Sequence, residues 1–468
     1  MSINVFTDYP LSWRPDKRKL TRPYYKSLVA ALKQAVASGE LLPDTKLPPQ
    51  RELADFLDIG FATVTRAYQL SQKLGITYGI VGRGTYIAKN VNGPQTITAS
   101  AIKDTIELGF NASFESNNHM IQKTIQSVAN QVQLTTLLNY DEPTGMAKHK
   151  LIASNYLSRI GMHANKETTM ITSGGQNALT VVMLSLFNSG DKIAVDKFTY
   201  ANFIELARMK GIELVPIDGD EFGMLPAKLV QQCQSKAIQG IYLMPDYANP
   251  TATLMPNERR VALAKVIAQY QLILIEDDYL NFLNLYRDHP LTKLSQLVPA
   301  QSIYICSMSK PLVSGLRVAF IRVADQFKLA VKNAIFNVNV KTSALDTEII
   351  TKALQNGSAR KIMNSKIQMV VAANQIFNRV FGFTDHPHDY RFFRTIPVTN
   401  RVSGAKIEAT LLNDGIHVIH SDKTLVGSAT DDCFIRVSLT SLASGDELKR
   451  ALIKLKAALV RHKFTLAV

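Results

Sequence analysis

The chain has 468 residues, of which 46% are hydrophobic, and it carries a formal net charge of +15. Its length exceeds that of one ordinary domain, so we expect two or three, and its apolar fraction is that of a globular protein. No apolar run is long enough to span a bilayer, and the first residues lack the apolar core of a signal peptide. The charge balance predicts a polyanionic partner such as nucleic acid, and a merely basic soluble enzyme is the alternative.

Three widely spaced cysteines, Cys233, Cys306 and Cys433, are odd in number. This pattern fits neither a disulfide framework nor a zinc site, and it predicts a cytoplasmic protein in a reducing compartment. The histidines, among them His417 and His420, also lack the spacing of metal ligands. We therefore expect no metal site.

The first ninety residues have the pattern of a helix-turn-helix. A basic stretch leads into a helix that the apolar spacing of Leu28, Leu32 and Val36 predicts over about residues 24–37. A short amphipathic helix that ends near Leu57 is followed by a tight turn and by a second helix that begins near Phe61. Two short helices joined in this way form a helix-turn-helix, whose second helix enters the major groove of DNA.

A predicted hairpin of residues 76–80 and 85–88 follows, and the arginine in its turn is placed for a phosphate or minor-groove contact. Residues 24–88 start with Leu-Pro-Pro-Gln-Arg-Glu-Leu-Ala and end with Gly-Arg-Gly-Thr-Tyr-Ile, and they resemble the winged-helix domain of GntR-type regulators. The resemblance implies that double-stranded DNA is contacted by Arg51, Thr63, Arg66 and Arg83. Phe61 replaces a polar residue of the family, and it either touches a thymine methyl group or packs. A winged helix that serves protein contacts only is the alternative.

Residues 89–104 are polar and without periodicity, which predicts a linker after an N-terminal domain of residues 1–88. From residue 105 the pattern changes to alternating strands and helices, as in an α/β domain with a mainly parallel sheet. Residues 193–195, 241–244 and 272–275 are short, continuously apolar runs that fit strands buried on both faces. Ligands of such sheets bind at the carboxyl ends of the strands.

Polar groups of complementary chemistry follow five predicted strands. Residues 303–305 lead to Lys310, and a lysine at a strand end can form a Schiff base with an aldehyde, while Arg317 can bind an anion. An aldehyde and a phosphate together indicate pyridoxal phosphate (PLP), whose ring nitrogen is kept protonated by an aspartate such as Asp277. The other strand ends carry a Gly-rich turn before a helix, an aromatic residue and an amide, namely residues 174–176, Tyr200 and Asn249. Taken singly, each of these is as easily a turn or surface residue.

In this order and at these distances, the strand ends resemble fold-type I PLP-dependent enzymes of the aminotransferase class, over roughly residues 105–465. The resemblance implies that Lys310 is the Schiff-base lysine and that Asp277 faces the pyridine nitrogen. It implies further cofactor contacts from Asn249, Tyr279, Tyr200, Gly174, Gly175, Gln176, Ser307 and Arg317. Tyr140, in Asn-Tyr-Asp-Glu-Pro-Thr-Gly, matches the tyrosine that these proteins offer to the cofactor of the neighbouring subunit, so we expect a homodimer. Ala252 and Lys150 depart from the family pattern outside this constellation, where they can alter substrate handling.

The chain is predicted to continue from a large domain of residues 105–345 into a small C-terminal α/β domain of residues 346–468. We expect strands at residues 392–393, 416–419 and 434–439, and helices at residues 405–412 and 447–460. Arg436 lies in the last strand, where the resemblance implies a clamp for the α-carboxylate of an amino acid. An exposed strand arginine is the alternative.

A winged helix ahead of an aminotransferase-like domain resembles the MocR-type regulators of the GntR family. The resemblance implies a PLP-dependent transcriptional regulator whose large domain senses an amino compound or PLP itself. An active aminotransferase acting on an amino acid is the alternative, because all the catalytic groups named above are present. The sequence names neither the effector nor the operator.

Overall fold

The computed structural model describes residues 11–37, 40–41, 45–73, 76–80, 83–88, 104–132, 134–386, 389–427 and 430–465. Its α-helices are α1 Tyr24–Ala37, α2 Gln50–Leu57, α3 Phe61–Lys73, α4 Gln122–Ala129, α5 Ala147–Arg159, α6 Gly175–Leu186, α7 Ala201–Lys210, α8 Pro226–Ser235, α9 Asn257–Gln269, α10 Leu294–Leu297, α11 Lys328–Asn339, α12 Ala344–Gln355, α13 Ser358–Phe381, α14 Gly404–Asn413 and α15 Gly445–Arg461. None of the helices in the described ranges is long and apolar enough to cross a membrane.

The strands are β1 Thr77–Ile80, β2 Gly84–Ile87, β3 Ile106–Glu107, β4 Thr169–Thr172, β5 Lys192–Asp196, β6 Glu213–Ile217, β7 Gly219–Asp220, β8 Gly223–Met224, β9 Gly240–Leu243, β10 Ile273–Asp278, β11 Ser302–Ser307, β12 Ala319–Val323, β13 Phe393–Pro397, β14 Ile416–His417, β15 Ile419–His420 and β16 Phe434–Ser438. They form one large sheet, one small sheet and three two-stranded pairs.

Helices α1 to α3 and the hairpin β1–β2 form the winged helix. The apolar faces of the helices share one core, to which Leu28, Leu32, Leu53 and Val64 contribute, because their helical spacing puts them on one side. In the hairpin, Thr77 pairs with Ile87 and Ile80 with Gly84. Both strands begin one residue away from the predicted positions, at Thr77 and Gly84. Of the predicted linker, residues 89–103 lie outside the described residues.

The large sheet has seven strands in the order β4-β12-β11-β10-β9-β5-β6. All are parallel except β12, which runs antiparallel to both β11 and β4. Alternate residues of the central strands pack on opposite faces: Ile193 and Ile275 join the cluster of α6, whereas Ala194 and Leu274 join that of α9. The predicted buried, mainly parallel sheet is confirmed, and its strands end along one edge.

The C-terminal part contains the antiparallel sheet β13-β16-β15, against which α14 and α15 pack. The run predicted as one strand over residues 416–419 is interrupted, because β15 pairs with β16 whereas β14 pairs with β3. The segment that follows the linker is thus joined to this part before the chain enters the large sheet. The predicted helices over residues 405–412 and 447–460 correspond to α14 and α15.

Candidate functional site

A cavity of about 350 Å³ lies at the carboxyl ends of the large sheet, a volume within the usual range for a small-ligand site. It brings together ten of the residues predicted for the cofactor and effector site, namely Lys310, Asp277, Tyr279, Tyr200, Asn249, Gly175, Gln176, Ser307, Arg317 and Arg436. Tyr140 does not line it, and its side chain is 89% exposed in the single chain.

Lys310 lies in the turn after β11 with its amine turned into the cavity. Its Nζ donates hydrogen bonds to the main-chain oxygens of Asn111 and, at 3.0 Å, Ala112. Burial lowers the pKa of Lys310 to about 7, the nearby Arg436 and Arg317 lower it too, and Glu115 opposes them. An amine with such a pKa is largely neutral at slightly alkaline pH, which is the form that attacks an aldehyde.

Asp277 is the buried acid at the end of β10. It accepts a 3.0 Å hydrogen bond from the Tyr242 hydroxyl. Burial raises the pKa of Asp277 to about 7, with the Tyr242 bond opposing the shift and the charge of Asp278 adding to it. A buried carboxylate in this position is stabilised by a positive partner, and a protonated ring nitrogen is one.

The anion side of the cavity is formed by Arg317, Ser309 and the start of α6. Arg317 Nη1 donates to Ser309 Oγ at 3.0 Å and to the Ser314 carbonyl at 3.2 Å. Its backbone has φ of +46°, a conformation that non-glycine residues adopt mostly at functional sites. Gly174, just before α6, has φ of +87°, and a Cβ there would lie 2.5 Å from Arg317 Nη2. Only glycine therefore allows this close approach.

Arg436 is fully buried on β16 and reaches the cavity, so the alternative of an exposed strand arginine is wrong. Its Nη1 donates to Asn249 Oδ1 at 2.6 Å and its Nη2 to the Gly109 carbonyl. Its Nε is buried and donates to no described group. Burial lowers the pKa of Arg436 to about 10, which still leaves the guanidinium charged at neutral pH. A carboxylate would supply the acceptor that this side chain lacks.

These residues fit PLP by their chemistry. Lys310 is a buried amine, and Asp277 a buried acid that gains from a cation. The first amides of α6 have no partner within the helix, and with Arg317 they suit a phosphate. Tyr200 offers a flat ring. The Tyr279 hydroxyl donates to the Tyr247 carbonyl at 2.5 Å.

Several residues of the site had no signal in the sequence. The carbonyl groups of Asn111 and Ala112 and the buried Lys366 contact the Lys310 region from positions 56 to 199 residues away. Glu115 also lines the cavity. No local motif marks such residues, because main-chain oxygens and single lysines occur everywhere. Only a fold template would have placed them.

A buried network of charges lies behind Asp277. Lys293 Nζ bridges Asp246 at 3.0 Å and Asp278 at 2.6 Å, and Arg260 donates to Asp246. Burial by itself would raise the pKa of Asp246, but the three cations Lys293, Arg260 and Arg287 lower it well below its usual range. The network thus keeps two acids ionised under the site.

Outside this cavity, potential ligand atoms of His420, Asp422 and Cys433 lie within 4.8 Å of one another. Sequence spacing gave no sign of this cluster, since the three residues meet through the turn after β15 and the start of β16. His420 Nδ1 accepts a 3.1 Å hydrogen bond from the Asp422 amide. The three cysteines form no disulfide.

The four predicted DNA contacts lie on the winged helix. The Arg66 guanidinium stacks 4.2 Å from the ring centre of Tyr25, and that of Arg51 lies 5.8 Å from the ring centre of Phe61. Phe61 is 48% exposed, so it does not belong to the core. A groove between α3 and the wing is lined by Arg51, Phe61 and Arg83, whereas Thr63 is half-buried on α3.

Comparison with known proteins gives the class of each part. Residues 24–87 match the family "Bacterial regulatory proteins, gntR family", and residues 103–455 match "Aminotransferase class I and II". An archaeal alanine:glyoxylate aminotransferase superposes with a TM-score of 0.70 at 19% identity, over 78% of this chain and 92% of that one. The α-aminoadipate aminotransferase LysN of Thermus thermophilus, complexed with N-(5'-phosphopyridoxyl)-L-leucine, gives 0.68 at 18% over 77% and 93%. The fold is thus a winged helix followed by a fold-type I aminotransferase domain.

A full-length relative shares both parts. The uncharacterized HTH-type transcriptional regulator YdeF of Bacillus subtilis (strain 168) is 31% identical over 465 residues, which cover 98% of this chain and 99% of YdeF. The chain belongs to the GntR-type transcriptional regulators that carry an aminotransferase class I and II domain, the MocR-type arrangement. Proteins of the aminotransferase family generally use PLP.

Proposed function

We propose that the protein is a PLP-dependent transcriptional regulator that binds DNA as a homodimer and senses an amino compound, or PLP itself, in the cavity around Lys310. The observation that carries this proposal is one chain in which an arginine-bearing winged helix precedes a cavity holding Lys310, Asp277, Arg317 and Arg436. We assign DNA binding to residues 1–88, the linker to 89–104, the cofactor domain to 105–345 and the small domain to 346–468.

In this proposal each side chain has one task. PLP, when bound, supplies an aldehyde that condenses with amines and a ring that withdraws electrons from the carbon beside the nitrogen. Lys310 presents the amine, and Asp277 holds a proton on the ring nitrogen. Ser307, Arg317 and the start of α6 hold the phosphate, and Arg436 orients the carboxylate of an incoming amino acid.

The remaining predicted contacts complete the cofactor site. Tyr200 stacks on the ring, and Asn249 and Tyr279 reach its oxygen. Gly174 and Gly175 leave room at the phosphate, and Gln176 lies beside it. Tyr140 is exposed on its own subunit, so we assign it to the cofactor of the partner subunit. This arrangement requires a dimer, and its two winged helices would read repeated half-sites whose spacing the dimer sets.

Regulation follows from linkage. A ligand that binds two arrangements of the dimer with different affinity shifts the balance between them, and the DNA affinity shifts with it. A tenfold change in DNA affinity requires a coupling free energy of about 1.4 kcal/mol. This is about the free energy of one or two hydrogen bonds of ordinary strength, so the contacts of a small ligand suffice.

Titration of the DNA upstream of the protein's own gene tests the proposal. Binding is measured by fluorescence anisotropy without ligand, with PLP, and with PLP plus each of a panel of amino acids. We expect specific binding that PLP or an amine changes, and Lys310→Ala should lose both covalently held PLP and the response. The exposed Lys228→Ala serves as the matched control and should keep both. DNA binding indifferent to every ligand would contradict the proposal.

The second candidate is an aminotransferase that carries a DNA-binding arm. It is favoured by the completeness of the cavity, because Lys310, Asp277 and Arg436 are all present. Sustained release of a keto acid from an amino acid, with no ligand effect on DNA binding, would select this function.

A further inference from the structure

The segment of residues 108–113, called the strap below, lies across the cavity. It follows β3, which the chain reaches directly from the linker. Lys310 donates to the carbonyl groups of Asn111 and Ala112, and Arg436 donates to that of Gly109. The two cations proposed to receive a ligand are therefore both engaged by the main chain of one short segment.

These contacts differ in how replaceable they are. The Ala112 carbonyl has a second donor, the Thr440 hydroxyl at 2.9 Å. Among the hydrogen bonds of the described residues, the carbonyl groups of Asn111 and Gly109 accept from Lys310 and Arg436 alone. Withdrawal of either cation therefore leaves a strap carbonyl without a donor, which is unfavourable in a buried place.

A second set of contacts fastens the strap to the turn that carries Lys310. Ser113 Oγ donates to the Lys310 carbonyl at 2.9 Å and accepts from Lys366 Nζ at 2.8 Å. Lys366 Nζ also donates to the carbonyl groups of Lys310, at 2.9 Å, and Leu312. Ser113 and Lys366 are 1% and 0% exposed. Lys366 thus joins α13, the strap and the Lys310 turn through buried hydrogen bonds.

Burial of a lysine is unfavourable unless its donors are satisfied, and Lys366 uses all three on oxygens of this junction. No acid pairs with it among the described ion pairs, so its contacts are all to neutral oxygens. Such an expenditure of a buried cation on main-chain groups indicates a need to fix their position.

We propose that Ser113 and Lys366 are positioning residues that hold the strap against the Lys310 turn, so that the strap registers what Lys310 and Arg436 have bound. Condensation of the Lys310 amine with the PLP aldehyde forms a C=N bond and releases one water. It leaves the nitrogen at most one proton, so it cannot donate to both carbonyl groups. A carboxylate at Arg436 competes for the donor of Gly109. An α-amino acid joined to PLP therefore withdraws both sets of contacts, whereas PLP alone withdraws one.

This inference rests on the proposed function, since it assumes PLP at Lys310 and a carboxylate at Arg436. Hydrogen exchange of the full-length protein at residues 106–114 tests it, without ligand, with PLP, and with N-(5'-phosphopyridoxyl)-L-alanine as a probe of the combined ligand. In the wild type we expect exchange to rise about fivefold with PLP, the effect of losing one buried hydrogen bond, and further with the probe. DNA affinity should change in the same order.

Ser113→Ala removes the hydroxyl that joins the strap to Lys310 and Lys366. In this variant we expect fast exchange at residues 106–114 before any ligand is added, and a ligand effect on DNA affinity that shrinks toward one. PLP should still attach to Lys310. The matched control is Ser154→Ala, because Ser154 is an equally buried serine that donates to a carbonyl within α5, away from the cavity.

Lys366→Met should reproduce the effect of Ser113→Ala, and Lys366→Arg, which keeps the donors, should restore part of the response. If Lys366→Met fails to fold, the serine pair of variants still decides. Ser113→Ala with wild-type exchange and a wild-type ligand effect on DNA binding would overturn the strap proposal while leaving the proposed function intact. A wild type that neither retains PLP nor binds its DNA would refute the proposed function itself.

Discussion

Among single residues, Lys310 has the clearest pH signature. Its attachment to PLP needs the neutral amine, and burial, Arg436 and Arg317 lower its pKa from the ordinary 10.5 to about 7. The neutral fraction grows as pH rises through the pKa, so the rate of attachment should rise through about pH 7 and level off above it. Stopped-flow absorbance of added PLP measures this profile. A rate that is still climbing steeply at pH 9 would show an unperturbed lysine.

Glu115 provides the complementary variant for this profile. Its charge favours the ammonium form of Lys310, so Glu115→Gln should move the midpoint to lower pH. The exposed Glu167→Gln, remote from the cavity, should leave the midpoint in place.

Stability is most sensitive at Lys293, which is fully buried between Asp246 and Asp278. Lys293→Ala leaves two buried acids without this partner, and we expect a loss of about 3–5 kcal/mol in the free energy of unfolding. Urea unfolding measures it. Lys17→Ala breaks an exposed pair with Asp58 and should leave the midpoint unchanged. Equal effects of the two variants would contradict the role given to burial.

At the scale of elements, α3 and the wing make a separable prediction. Arg66→Ala combined with Arg83→Ala should weaken DNA binding and lower the salt dependence by about two units of slope, because two phosphate-directed charges are lost. The absorbance of bound PLP should not change, since neither residue is near the cavity. Anisotropy at several salt concentrations checks both statements, and unchanged affinity would refute this placement of the DNA surface.

Most elements could be predicted from the sequence alone, because each carries its own periodicity. The bounds of α1 agree with the prediction, and α3 begins at the predicted Phe61. The strand that leads to Lys310 was predicted from its apolar run, and β11 continues to Ser307 as expected. The rule that ligands bind at strand ends then collected ten residues into one cavity.

Other parts of the site could not be predicted, because their contacts depend on distant parts of the chain. The strap binds through carbonyl groups, which every residue has. Lys366 contacts the Lys310 turn from α13, and nothing in its neighbourhood distinguishes it from a surface lysine. The split of residues 416–419 into β14 and β15 likewise depends on two different partners, β3 and β16.

For the whole molecule, the exposed Tyr140 leads to a prediction about assembly. If each cofactor site takes Tyr140 from the partner subunit, Tyr140→Phe should weaken PLP retention, and Lys310→Ala should abolish covalent attachment. A hybrid dimer of one subunit of each kind then contains one intact site and one doubly defective site. Mixing the two variants should restore about half of the wild-type retention per hybrid dimer. Retention that is merely the average of the two parents would refute a shared site.

The strap and β16 also have a consequence for the order in which the protein matures on the ribosome. Arg436 and Thr440 contact residues 327 and 329 positions earlier in the chain, so the cavity is completed only when nearly all of the chain has been made. The winged helix has its own core and can fold as it emerges. A polypeptide that ended before β16 would thus occupy its operator with no means of responding to a ligand, and prompt degradation of such fragments would protect the genes under its control.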